Sequence, residues 1–199
     1  GNPLAGTVKS SKELYRKGQT YLVSWYGRAN YSLLDRYLLT FTARYDGSSR
    51  FADGHRWGFF PAAAFAWRVK EESFLKDVEA ISDLKLRLGW GKTGQQDTGK
   101  EYYTATYKKS TDNHYTYPIG GKDNNPGLLY RPLAYNDELT WETTTTWNFG
   151  LDYGMFDQRL VVNFDAYYRK TTDLLSTTTI AAGQNFDNAL LMNAGTLEN

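Results

Sequence analysis

Residues 36–45 alternate almost without a break, with Tyr37, Leu39, Phe41, Ala43 and Tyr45 on one side and Arg36, Thr40, Thr42 and Arg44 on the other. A period of two over ten residues specifies a strand with one apolar face, because successive side chains of an extended chain point in opposite directions. The same period recurs in 21–31 (Tyr21, Val23, Trp25, Ala29, Tyr31), in 57–69 (Trp57, Phe59, Pro61, Ala63, Phe65, Trp67, Val69) and in 84–90 (Leu84, Leu86, Leu88, Trp90). It returns in 141–153 and in 160–168. The chain is therefore expected to be all-β, with about six to seven antiparallel strands, the tail from 181 leaving room for the last. Pro61 removes a ladder donor and is expected near a strand's beginning or at a bulge. Phe74, Leu75 and Val78 have helix-like spacing, so 71–80 is expected to hold a short helix. The segment Thr93-Gly-Gln-Gln-Asp-Thr-Gly99 is expected to break the fourth strand, and 1–20 read as loop.

Two architectures bury one face of every strand. In a soluble sandwich the apolar faces meet each other, and aromatic platforms such as Tyr115 and Tyr117 would suit a carbohydrate-binding module. In a membrane barrel the apolar faces meet lipid. Strand lengths of about 10–15 residues exceed the 5–6 usual in sandwiches. Aromatics also bracket the apolar stripes: Tyr21 and Tyr31 are ten residues apart, as are Trp57 and Trp67. At a rise of about 3.3 Å and a tilt of roughly 40°, that spacing spans about 25 Å, the height of a lipid-facing band between aromatic girdles. The connections support the same choice. If 32–35 is periplasmic, then 46–56, 94–140 and 174–190 fall outside and 154–158 inside, which gives short inner turns and long outer loops. The 70–83 connection breaks the rule by being longer than the outer loop beside it.

Composition agrees with strands that meet an interface: 16 Tyr, 6 Trp and 18 Gly accompany a mean hydropathy of -0.61. A net charge of +1 from dispersed basic residues gives no field directed at nucleic acid. There is no run of about 18 apolar residues, so a transmembrane helix is excluded while spanning strands are not. Gly1-Asn-Pro-Leu-Ala5 has neither the basic region nor the apolar core of a signal peptide, so the expectation is a removed signal or an excerpt. An open sheet edge in lipid would strand unpaired backbone groups, so the chain is expected to be a section of a larger barrel.

On the barrel reading Arg44, Lys85, Arg87, Asn148, Asp152, Asp165, Tyr167 and Arg169 point into the lumen. Most such side chains balance charge or hold a plug, and a minority touch cargo. Asp46 and Arg50 join them in the 46–56 loop, and Tyr115 and Tyr117 are the candidate contacts of the long loop 95–140, since tyrosines and amides offer stacking faces and hydrogen bonds to sugars. No catalytic, cofactor or metal set is expected. His55 and His114 lie in loops without companions, and Asp46 with Asp53, or Asp123 with its Asn neighbours, lacks the spacing of a calcium loop. Gly89-Trp-Gly-Lys-Thr-Gly94 lacks the strand-loop-helix setting of a phosphate loop and reads as strand-end glycines.

Several stretches resemble the SusC/RagA family of TonB-dependent outer-membrane transporters. They are Tyr37-Leu-Leu-Thr40, Asp46-Gly-Ser-Ser-Arg-Phe51, Trp57-Gly-Phe-Phe-Pro61 with Trp67-Arg68, Leu84-Lys-Leu-Arg87 with Gly91-Lys-Thr-Gly94, Trp141-Glu-Thr-Thr144, Gly150-Leu-Asp-Tyr153 and Tyr167-Tyr-Arg-Lys-Thr-Thr-Asp-Leu-Leu175. The similarity runs from about Tyr21 to the end. It implies an up-and-down barrel of 22 strands in the outer membrane of a Gram-negative bacterium, of which 1–199 is a partial β-barrel domain and 95–140 a long extracellular loop. It also implies import of glycans or peptides, a SusD-type surface lipoprotein that lids the barrel, and energy from the TonB complex through parts not in this chain. Nothing here resembles the signal, TonB box, plug or final strands.

Overall fold

The computed structural model describes residues 19–98, 102–104, 107–109, 130–181, 183 and 189–199; Tyr115, Tyr117, His114 and Asp123 lie outside them. The strands are β1 (Leu22–Leu33), β2 (Tyr37–Ser48), β3 (Trp57–Arg68), β4 (Ile81–Gln95), β5 (Tyr107–Lys109), β6 (Tyr130–Pro132), β7 (Glu142–Met155), β8 (Leu160–Thr172), β9 (Leu175–Thr179), β10 (Ala189–Asn193) and β11 (Thr196–Glu198). One seven-stranded antiparallel sheet runs in the order β1-β2-β3-β4-β7-β8-β11, while β5 with β6 and β9 with β10 form separate two-stranded ladders. Every strand of the large sheet thus pairs with its nearest sheet neighbour in the chain, as an up-and-down barrel wall requires.

Register carries the alternation across the whole sheet. Trp25 pairs with Tyr45 and Tyr45 with Phe59; Ala63 pairs with Trp90, Trp90 with Trp147 and Trp147 with Tyr168. The opposite face aligns Arg28 with Thr42, Gly89 with Asn148, and Arg87 with Gly150, which in turn pairs with Asp165. The apolar face is bare among the described residues: Trp25 is 69% exposed, Phe59 55%, Leu88 50% and Phe164 54%. No second described sheet packs on it, which removes the sandwich alternative, since a soluble domain does not leave a continuous apolar sheet face in water. No helix among the described residues is long and apolar enough to cross a membrane, which is neutral toward a crossing made by strands.

The buried core lies at one end of the sheet. Phe51, Phe60, Leu139 and Trp141 form it, under the connection between β2 and β3. Phe60 explains why neighbouring glycines recur there: its ring occupies the space that a Cβ on Gly58 or Gly94 would fill. Gly89 and Gly91 are interior positions of β4 rather than strand-end residues, Gly94 stands one residue from its end, and the strand continues past the break expected at Thr93 to Gln95. Pro61 also departs from expectation. It sits inside β3, opposite Ala43, but the β3–β4 ladder begins only at Ala62 opposite Gly91, so β3 leaves β4 where the proline's missing donor would be needed.

At the other end the connections are tight. Leu34 and Asp35 both have positive φ, 53° and 49°, as the central residues of a primed turn do, and Arg36 N closes that turn on the Leu33 carbonyl at 3.1 Å before Leu33 pairs with Tyr37. Phe156, Asp157 and Gln158 follow with φ of 51°, 54° and 66° before β8. The expected helix at 71–80 is absent. A 3-10 turn at Val69–Glu71 leads into further turns instead. Lys70 directs the chain there, because its Nζ donates to the carbonyls of Leu75, Lys76 and Val78 at 3.0, 3.1 and 2.8 Å and holds them around one point rather than along an axis. Glu72 completes the connection: it accepts from Tyr37 Oη at 2.6 Å, Trp67 Nε1 at 3.0 Å and Arg36 at 3.2 Å.

Candidate functional site

The polar face of the sheet concentrates its charge where β4, β7 and β8 run side by side. Arg87 donates to both carboxylate oxygens of Asp152 at 2.9 Å and to Asp165 at 2.9 Å. Asp165 is two strands away, and Gly150 lies between the two in register. A Cβ at Gly150 would stand 2.7 Å from the guanidinium carbon, so the absence of a side chain opens the saddle through which Arg87 reaches β8. The bidentate pair plus the third bond commits Arg87 to the wall. This cluster braces three strands rather than offering a free charge.

Four residues along β8 the chemistry changes. Arg169 Cζ lies 5.8 Å from the centroid of the Tyr167 ring, and both side chains are exposed on the polar face. Around them runs a ladder of threonines: Thr144 and Thr171 hydroxyls are 2.9 Å apart, and Thr93 donates to the Thr144 carbonyl at 3.4 Å. Arg169 and the three threonines line a cavity of about 490 Å³ together with Thr146, Leu197 and Asn199.

The connection after β2 is a fixed scaffold. Arg44 donates to the buried Asp46 at 2.8 Å, the two lying on one face because they are two residues apart in a strand. Arg50 reaches Asp97 at 2.7 Å, and Arg56 pairs with Asp53 at 2.9 Å while donating to the Phe51 carbonyl at 3.1 Å. Trp141 Nε1 donates to the Arg56 carbonyl at 3.1 Å, which ties this loop to the start of β7. Asn193 ties in the β9–β10 hairpin: its amide both accepts from and donates to the Thr140 backbone at 2.9 Å.

The strand members of the expected lumen set therefore share one face and the set divides into three groups: Arg87 with Asp165, Tyr167 with Arg169, and Arg44 and Asp46 with the loop residue Arg50. Asp46 and Asp53 each pair with an arginine rather than meeting over a cation. No group of three or more His, Cys, Asp or Glu that could hold a metal occurs among the described residues. Trp141, Asn193 and the Gly150 saddle escaped the sequence reading. A tryptophan at the head of an alternating run reads as a strand position, and only the register places a glycine opposite a long basic side chain.

The family model for the TonB dependent receptor-like β-barrel matches residues 1–199. The chain belongs to this family. The TonB-dependent receptor SusC of Bacteroides thetaiotaomicron is 51% identical over 178 residues, covering 89% of this chain and 17% of its own length. TonB-dependent receptor P26 of Formosa agariphila is 38% identical over the same coverage, again 17% of its length. Among solved structures, the RagAB peptide transporter superposes with a TM-score of 0.71 at 24% identity, over 90% of this chain and 19% of that one, a likeness of fold. The chain thus spans about a sixth of the length of the curated TonB-dependent receptors that it matches. Family membership gives the two sheet faces their environments. In a TonB-dependent barrel an apolar outer face meets lipid and a polar inner face lines the interior.

Proposed function

We propose that this chain is a wall section of an outer-membrane, TonB-energised importer of glycans or other large nutrients, peptides included. It works with a SusD-type surface lipoprotein that lids the barrel. The observation that carries the reading is the two-faced sheet: one side continuously apolar and uncovered, the other lined with hydroxyls, amides and charges, in a chain of the TonB-dependent receptor family. The end bearing the Phe51–Trp141 core and the long 95–140 excursion is the outer one, and the end with the tight Leu34–Asp35 and 156–158 turns is periplasmic. Energy enters through the TonB complex at parts outside this chain. In this reading the outer scaffold and the 95–140 loop form the cargo vestibule and the lid contact, with Tyr115 and Tyr117 among the contacts. The peptide transporter RagAB supports the peptide class, and the TonB-dependent receptor SusC supports the energised role.

The test is uptake by cells that express the full-length protein with its neighbouring lipoprotein. Labelled oligosaccharides and peptides should enter in an energy-dependent way, with a protonophore abolishing entry. Deleting 100–135 should reduce uptake or lipoprotein co-purification while the barrel still assembles. Failure of every cargo to enter, or entry indifferent to the protonophore, would sink the importer reading; unchanged uptake and docking after the deletion would sink the vestibule.

A further inference from the structure

We propose that the 69–80 connection is a foot that rests in the headgroup layer of the periplasmic leaflet and seats Phe74 among zwitterionic phospholipids. The inference rests on the importer reading, which turns the aromatic side of the sheet to lipid. Glu72 is what places the connection. Tyr37 and Trp67 pair across β2 and β3 on the face of Leu39 and Phe65, and their rings stack with centroids 6.1 Å apart. In a membrane girdle such rings lie against the apolar layer and turn their O–H and N–H groups toward the headgroups. Here both are aimed at one acceptor: Glu72 takes the Tyr37 hydroxyl at 2.6 Å and the Trp67 indole N–H at 3.0 Å. The carboxylate therefore stands at headgroup level on the outside of the wall, and the connection bends outward beneath the aromatic face rather than inward under the lumen. A third donor, Arg36 at 3.2 Å, makes the charge tolerable at that depth.

Phe74 is carried by the turn that closes on Glu72 itself, since the N–H groups of Leu75 and Lys76 donate to the Glu72 carbonyl at 3.0 and 2.8 Å. Its ring is 67% exposed, and Val78 is 37% exposed. The connection lies well inside the sheet, with β1 and β2 on one side and β7 and β8 on the other, so its lateral neighbours are in place. Phe74 and Val78 are thus apolar bulk that neither a helix nor the buried core takes up. The three carbonyls gathered on Lys70 keep the turn fixed, which lowers the ordering cost of inserting the ring. Charge selects the lipid class. Lys70 and Lys76 stand against Glu71, Glu72, Asp77 and Glu79, and this excess of negative charge disfavours anionic headgroups. A foot in the leaflet also accounts for the length of the connection, because the β1–β2 and β7–β8 turns close the same end of the sheet with far fewer residues.

The test is spin labelling of the full-length protein in vesicles of phosphatidylethanolamine and phosphatidylcholine. A nitroxide is attached at Phe74→Cys, with Phe149→Cys as the lipid-side reference and Asn148→Cys as the interior one; residues 1–199 contain no native cysteine, and any elsewhere in the protein is replaced by serine. Collisions with oxygen, which concentrates in the apolar layer, are compared with collisions with a water-soluble nickel chelate. The ratio of oxygen to nickel collisions at 74 should be several-fold higher than at 148 and approach that at 149. Tyr37→Phe combined with Trp67→Phe removes both donors to Glu72 and keeps the rings, so it should release the turn and bring the ratio at 74 down toward the value at 148. Three results would each overturn the foot: a ratio at 74 no higher than at 148, low collisions with both reagents, which would mean that protein covers the ring, or a ratio unmoved by the double variant. References in the reverse order would overturn the assignment of the faces and the importer reading with it, whereas ordered references with 74 in water would remove the foot alone.

Discussion

At Leu34 and Asp35 the chain accepts a left-handed backbone with residues that do not favour it. A non-glycine residue there costs about 1–2 kcal/mol, less for Asp and Asn, and Asn-Gly is the pair best suited to the primed hairpin. Replacing Leu34-Asp35 by Asn-Gly is therefore expected to stabilise the full-length barrel by about 1 kcal/mol in denaturant unfolding. No change, or a loss, would show that the turn has a role beyond closing the hairpin. The opposite sign is expected at Gly94. The buried Phe60 ring occupies the place of its missing Cβ, so Gly94→Ala forces Phe60 out of its seat, at about 1–3 kcal/mol for overpacking. Phe60→Leu combined with Gly94→Ala should cost less than the sum of the two changes, and strict additivity in that cycle would refute the contact. Neither position stands out in the sequence. Leu-Asp carries no turn signature, and a glycine inside an alternating strand explains itself only when the ring across from it is known.

Among the elements, the 69–80 connection and the outer scaffold behave as units. Glu72 is the hub of the first. The Tyr37 hydroxyl above all, then the Trp67 indole and the Arg36 guanidinium, hold its carboxyl below the usual carboxylate range against the opposing effect of desolvation. A carboxyl with a depressed folded-state value contributes stability that is present above its unfolded value, near 4.3, and is lost as pH falls through the folded value. The wild-type barrel should therefore lose more stability than Glu72→Gln between about pH 5 and pH 3, and parallel pH profiles for the two would dismiss the hub. The strands that meet at this connection were legible in the sequence, because a period of two survives any tertiary setting. The connection itself was not. Phe74, Leu75 and Val78 imitate a helical stripe, but ten residues are too few for a helix to hold against the three carbonyls that Lys70 gathers. In the scaffold between β2 and β3, Trp141→Ala should cost about 3–5 kcal/mol and make the 49–56 segment open to proteolysis before the barrel unfolds.

For the molecule as a whole, the decisive question is which face meets lipid. Phe149 and Asn148 are adjacent in β7 and point to opposite sides. Phe149→Arg is expected to cost about 2–4 kcal/mol in vesicles, against little for Asn148→Arg, and equal costs would contradict the assignment of the faces. The two faces were readable from alternation alone, and so was the family, from motifs spread over most of the chain. Which charges of the polar face brace one another was not, since it depends on which residues register brings opposite one another. One feature of the wall also bears on mechanics. From Ala62 and Gly91 to Arg68 and Lys85, β3 and β4 are joined as a ladder, but on the Trp57 side of the first pair the two strands part at Pro61. A closed hoop shares a sideways pull among all its ladders. Here that end of the wall is interrupted, so a pull on the β2–β3 loop passes between these strands through side chains, the Phe60 ring, the bond from Trp141 to the Arg56 carbonyl and the Arg50–Asp97 pair, a soft joint set into a stiff wall.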